Sequence, residues 1–161
     1  MKIERHVDLA VDPDEVYRVV MDPGRLGEWV TIHAGFEKAP DRLEQGSEMV
    51  QKVKVAGQRF TVTWQVTQDE RPSKVVWEGK GPARTHARVR YGIEDRDGTT
   101  RFSYLNEYHL PGGAAGRIAG RAVSAAAARE VERSLDRLKN LLEGRTPGPP
   151  PAPRSRLGGR P

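Results

Sequence analysis

The chain has 161 residues, of which 36% are hydrophobic and 30% charged, and it contains no cysteine. The length suits one domain with its own core, and the missing cysteines exclude disulfides, a thiol nucleophile and cysteine-held zinc or iron–sulfur centres. The net charge of +5 comes from the C-terminal end, where Arg145, Arg154, Arg156 and Arg160 occur without an acid, leaving 23 basic against 22 acidic residues in 1–143. The expected domain therefore lacks the basic footprint of a nucleic-acid binder. No apolar run approaches the ~18 residues of a membrane span, so no integral membrane association is expected. The N-terminus shows no apolar secretory core, and a reducing cytoplasm is the expected location.

In chain order, a first strand is predicted over Lys2–Ala10. Asp12, Pro13 and Glu15 form a cap, a first-turn proline and a capping-box spacing, so a short helix follows, with Val11 and Val16 placed for a hydrophobic staple. Asp22-Pro23 repeats the signal for a second brief helix ending near Trp29. From about residue 31 to 111 the apolar period becomes two. Met49, Gln51, Val53 and Val55 share one face, and Ala56-Gly57 is a predicted turn. Phe60, Val62, Trp64 and Val66 share the next face. After breaks at Pro72 and Pro82 come Ala87, Val89, Tyr91 and Ile93. Asp97-Gly98 is a hairpin turn of the kind that needs positive φ at both positions. Phe102, Tyr104, Asn106, Tyr108 and Leu110 complete the alternation, which describes an antiparallel sheet with one face in and one face wet.

Pro111-Gly112-Gly113 ends the sheet, and a long helix is predicted to Glu143 with Gly144 just beyond it. Its second half carries Val131, Leu135, Leu138, Leu141 and Leu142 at helical spacing, while its first half is small-residue-rich, with Ile118 and Val123 as the larger apolar residues. Arg117, Arg121, Arg129, Arg133 and Arg137, interleaved with Glu130, Glu132 and Asp136, are expected to mark a salt-bridged solvent side. Residues 144–161 are Pro/Gly/Arg-rich and are expected to be a disordered tail beyond a domain over 1–143.

Several segments carry a family resemblance: Val11-Asp12-Pro13-Asp14-Glu15-Val16-Tyr17, Asp22-Pro23-Gly24-Arg25-Leu26-Gly27-Glu28-Trp29, Leu43-Glu44-Gln45-Gly46-Ser47, Asp97-Gly98-Thr99-Thr100 and the Gly112-Gly113 helix junction. The chain resembles the START-like (SRPBCC, Bet v 1-like) superfamily, specifically its polyketide cyclase/dehydrase and lipid-transport branch. The resemblance implies an α+β helix-grip fold: a curved antiparallel sheet of about seven strands around a long C-terminal helix, with two short helices after the first strand. It also implies an apolar cavity that takes a lipid, aromatic polyketide or quinone-like molecule.

The residues lead to a cavity independently. A small-residue helix half cannot fill a concave sheet, and at ~24 cal/mol per Å³ a dry void of ~300 Å³ would cost about 7 kcal/mol. The expected inward wall is Gln51, Trp64, Val89, Tyr91, Phe102, Tyr104, Asn106 and Tyr108 from the strands, and Ile118 and Ala122 from the helix. Asn106 reads either as cavity lining or as a satisfied core amide. The tyrosines read equally as ligand contacts or core, and the face of Trp77 is unassigned. Trp29 reads as a structural plug. His33 falls near the expected cavity mouth, as a surface residue or a general acid or base. Glu78 and Glu107 belong on the wet face. His6, His33, His86 and His109 have no metal-ligand spacing, and neither metal nor cofactor is expected.

These features support a carrier or sensor of a hydrophobic small molecule, as monomer or homodimer. A polyketide cyclase or aromatase, for which no catalytic motif is visible, and a protein-interaction module are the alternatives.

Overall fold

The computed structural model describes residues 1–144, with side chains over 1–113 and 120–144. The expected tail beyond Gly144 and the side chain of Ile118 lie outside the described residues. In chain order the elements are β1 (Lys2–Leu9), α1 (Pro13–Val20), α2 (Leu26–Trp29), β2 (His33–Lys38), β3 (Glu48–Val55), β4 (Gln58–Glu70), β5 (Lys74–Lys80), β6 (His86–Asp95), β7 (Thr100–His109) and α3 (Gly113–Glu143). The seven strands form one antiparallel sheet in the order β1-β7-β6-β5-β4-β3-β2. This is the α+β helix-grip architecture that the family resemblance implies.

Local chemistry starts and stops these elements as read from sequence. The Glu15 amide donates to Asp12 Oδ1 at 2.9 Å at the start of α1, and the Gly24 amide donates to Asp22 Oδ1 at 2.9 Å before α2. Ala56 (φ 50°) and Gly57 (φ 77°) make the two-residue turn between β3 and β4, and Asp97 (φ 50°) and Gly98 (φ 98°) make the one before β7. Gly144, left-handed at φ 64°, ends α3.

The core lies on the concave face of the sheet. Val16, Tyr17, Val19 and Val20 of α1 are buried there, as are Leu135 and Leu138 of α3. The sheet-facing stripe of α3 runs through Ala127, Val131, Ser134, Leu135 and Leu138, and Arg121, Arg129, Arg133 and Arg137 are exposed as expected. Ala122, expected in the cavity wall, is exposed instead. At 100° per residue it is about 140° away from Ala127, on the far side of that stripe. Glu78 and Glu107 are exposed on the outer face.

One irregularity decides an orientation that the pattern leaves open. β4 carries a bulge between Val66 and Gln68. Beyond it the register pairs Asp69 with Val75, while Val66 pairs with Trp77. The extra residue brings Asp69 to the inner face, where both its carboxylate oxygens accept from the Tyr17 hydroxyl at 2.8 Å. Burial and this bond push the Tyr17 hydroxyl up to about 12.

Candidate functional site

Between the sheet and the second half of α3 lies a cavity of about 100 Å³. Its floor is the inner face of β3 to β7, and its roof is α2 and the Ala127–Leu135 stretch of α3. Because inward positions alternate, aromatic or amide side chains from β3 to β7 reach the same space. Trp64, Trp77, Tyr91 and Tyr104 line it from β4 to β7, with Gln51 from β3 and Asn106 beyond Tyr104.

The hollow is about a third of a ~300 Å³ void, whose dry cost would be about 7 kcal/mol. Trp29 of α2 closes it from above, edge-on to Phe102 at 6.1 Å and to Tyr91 at 6.3 Å, and Trp77 meets Tyr91 at 6.2 Å. These rings occupy what a wall of aliphatic residues would leave empty. A dry space of this size costs about 2.4 kcal/mol at ~24 cal/mol per Å³, which a folded domain can bear.

Trp64 is seated by its neighbours. Its cross-strand partner is Gly79, where an added Cβ would stand 2.6 Å from the indole ring. The Trp64 Nε1–H donates to Gln51 Oε1 at 2.9 Å, and Gln51 Nε2 meets His33 Nδ1 at 2.9 Å. His33 is therefore not a free surface histidine. It is half-buried at the start of β2, with Phe36 4.6 Å from its ring, and burial lowers its pKa below 6.5.

A second polar cluster joins the segment before β2 to α3. The Thr31 amide donates to Ser134 Oγ at 3.0 Å, and the Thr31 and Ser134 hydroxyls both donate to the Glu130 carbonyl, at 3.1 and 2.8 Å. Glu130, expected on the solvent side, lines the cavity, and its carboxylate reaches out to Arg133 at 3.0 Å. Among the described residues no lysine, arginine or histidine side chain lines the cavity.

The remaining polar groups are neutral. Burial pushes the Tyr91 hydroxyl far above its ordinary range, with Tyr104 close by acting the same way. Burial raises Tyr104 to about 12 against a smaller opposing hydrogen bond from Asn106. Both stay protonated at neutral pH, and the Tyr104 oxygen accepts the bond from Asn106. The indole nitrogens of Trp29 and Trp77 and Asn106 Oδ1 are buried without a partner.

Of the residues expected in the wall, Gln51, Trp64, Val89, Tyr91, Tyr104 and Asn106 come together there. Phe102 and Tyr108 do not. Phe102 is fully buried beneath Trp29 and Tyr91, and Tyr108 lies one inward position past Asn106, its hydroxyl buried without a partner. Sequence reasoning missed the lining roles of Trp29, Trp77, Met49, Ala127, Glu130 and Ser134. The spacing Ala127–Val131–Ser134–Leu135 on one helical stripe was the signal for the last group. Among the described residues no cluster of His, Asp or Glu could hold a metal, and no helix is long and apolar enough to cross a membrane.

Comparison with known proteins agrees with this architecture. An uncharacterized protein of Mycobacterium tuberculosis, Rv1546, is 33% identical over 92 residues, 56% of this chain, and the match spans 62% of that relative's length. A second protein of that organism, named Toxin Rv0910, is 25% identical over 114 residues, covering 70% of this chain and 78% of its own. The crystal structure of TTHA0849 from Thermus thermophilus superposes with a TM-score of 0.73 at 16% identity, over 89% of this chain and 98% of that one, which shows a shared fold. The model of the family described as polyketide cyclase/dehydrase and lipid transport matches residues 1–143, and the chain belongs to that family.

Proposed function

We infer that the protein binds one compact, mainly apolar small molecule between its sheet and α3, as a cytoplasmic carrier or sensor. The observation that carries this reading is the wall itself: a ring of tryptophan and tyrosine side chains with a few neutral polar groups and, among the described residues, no basic one. This is the usual form of a small-molecule site. The dimensions suit a ring system, such as an aromatic polyketide fragment or a quinone-like head, better than an extended acyl chain. Burying about 200 Å² of ligand apolar surface contributes about 5 kcal/mol before the costs of association. Membership of the polyketide cyclase/dehydrase and lipid-transport family supports a hydrophobic ligand. Binding is favoured over catalysis because no histidine lines the wall among its described residues and the one carboxylate there, Glu130, is engaged by Arg133.

The test is native mass spectrometry of the full chain purified from its own host, beside Ala127→Leu, which fills the roof of the cavity. The expected result is one added small-molecule mass in the wild type and its loss in the variant, with both proteins folded. A wild type without added mass that also fails to take up naphthalene would overturn the reading. Stable co-purification of a protein with such a ligand-free chain would favour an interaction module.

A further inference from the structure

Three hydrogen-bonding side chains run in series from the cavity wall to the sheet edge: Trp64 on β4, Gln51 on β3 and His33 on β2. An indole nitrogen can only donate, so Gln51 must present Oε1 to Trp64. Its Nε2, also only a donor, then faces His33 Nδ1. Both contacts are 2.9 Å. His33 must accept at Nδ1, so its proton resides on Nε2 and the ring is neutral.

We propose that His33, which does not itself line the cavity, is the positioning residue that orients the Gln51 amide and through it holds Trp64 in the wall, so that protonating His33 releases Trp64. A proton on Nδ1 turns the acceptor into a donor that opposes the Gln51 NH2. Rotating the amide restores a bond to His33 but sets an NH2 against the Trp64 N–H. One bond of the series is lost in either case.

The surroundings of His33 leave this series as its main polar contact. Phe36 packs on its ring, and a Cβ at Gly27 would stand 3.4 Å from it. Val53 is its partner across β3. The charged groups on the elements around it are engaged elsewhere: Glu28 of α2 with Arg25 at 2.7 Å, Lys52 of β3 with Glu37 of β2 at 4.0 Å, and Glu130 of α3 with Arg133 at 3.0 Å. Lys54 of β3 is exposed on the opposite face from Gln51. Burial is the one influence resolved on the ring, and it favours the neutral form.

The consequence for ligands rests on the binding reading above. A ligand that needs Trp64 seated favours neutral His33, so its affinity falls by about fivefold in all as pH drops through the His33 midpoint, the worth of one hydrogen bond.

The series itself is tested without a ligand. The full chain, labelled with nitrogen-15 in its indole and imidazole rings, is titrated by NMR from about pH 8 to about pH 5, across the histidine range. Trp64→Phe identifies the Trp64 signal. The expected result is a Trp64 indole shift with the same midpoint as the His33 ring, absent from the indole in Gln51→Leu although His33 still titrates. A Trp64 signal that stays flat while His33 titrates would overturn the proposal. So would a Trp64 transition that survives in His33→Phe, since it would arise from another group. If Gln51→Leu does not fold, the coincidence of midpoints in the wild type decides. Failure here leaves the binding reading standing, and a protein without ligand leaves the series standing.

Discussion

Gly79→Ala tests the seating of Trp64 directly. The added methyl carbon would stand 2.6 and 2.7 Å from two carbons of the indole ring, about an ångström inside ordinary contact. The ring is pinned on its other side by the bond to Gln51, so it cannot retreat without breaking that bond. Overpacking of this kind costs about 1–3 kcal/mol, and the lost hydrogen bond adds about 1 kcal/mol. The reduced freedom of the unfolded chain returns about 0.4–1 kcal/mol. The net expectation is a loss of about 2 kcal/mol, or a Tm lower by about 4–8 °C for a domain of this size. Thermal and urea unfolding followed by tryptophan fluorescence would measure it. In the double variant with Trp64→Phe the smaller ring should tolerate the methyl, giving a non-additive cycle. A Gly79→Ala protein as stable as the wild type, or an additive cycle, would refute the reasoning.

Other consequences are accessible to the same preparations. Asp12→Ala removes the acceptor for the Glu15 amide and should lower unfolding stability by about 1 kcal/mol, whereas Asp12→Asn should nearly preserve it. Burial lowers the folded-state pKa of His33, so on acidification the unfolded chain takes up this proton first. The His33 contribution to stability should therefore be full above its ordinary value of 6.5 and should decline as pH falls through the lower folded value. Chemical denaturation of wild type and His33→Phe across that window checks this; parallel pH profiles would contradict it. Asn106→Leu should weaken binding of 1-phenylethanol more than that of ethylbenzene, measured by calorimetry or ligand-observed NMR, because it removes the unpartnered acceptor Asn106 Oδ1 that the alcohol hydroxyl can donate to. Equal losses would remove Asn106 from the polar part of the site.

The surface charges call for no comparable weight. Arg101 with Asp8 at 2.8 Å and Arg5 with Glu132 at 2.8 Å tie neighbouring elements, but such exposed pairs contribute about 0–1 kcal/mol and are screened by salt. Stability rests on the concave core, where Leu9, Val16, Phe102 and Leu138 have at most trace exposure.

Local rules made most of the fold legible in the residues. Asp12 and Asp22 are caps whatever surrounds them, Ala56-Gly57 and Asp97-Gly98 close two-residue turns, and period-two alternation sorts Met49, Gln51 and Val53 from Lys52 and Lys54. The same parity brought six expected wall residues to one face. What escaped depended on contacts between distant elements. The bulge at Val66–Gln68 resets the parity of β4, and the run Val75-Val76-Trp77 has no polar partner to mark its inner face, so Trp77 became assignable only in the sheet. The rotation of α3 about its axis, which sends Ala122 to solvent and Glu130 to the cavity rim, follows from how Leu135 and Leu138 settle on the sheet. The size of the hollow was set by Trp29 folding over Tyr91 and Phe102 from a helix far away in sequence. Pattern along a chain records which way a side chain points; only packing in three dimensions decides how much space remains between those that point the same way.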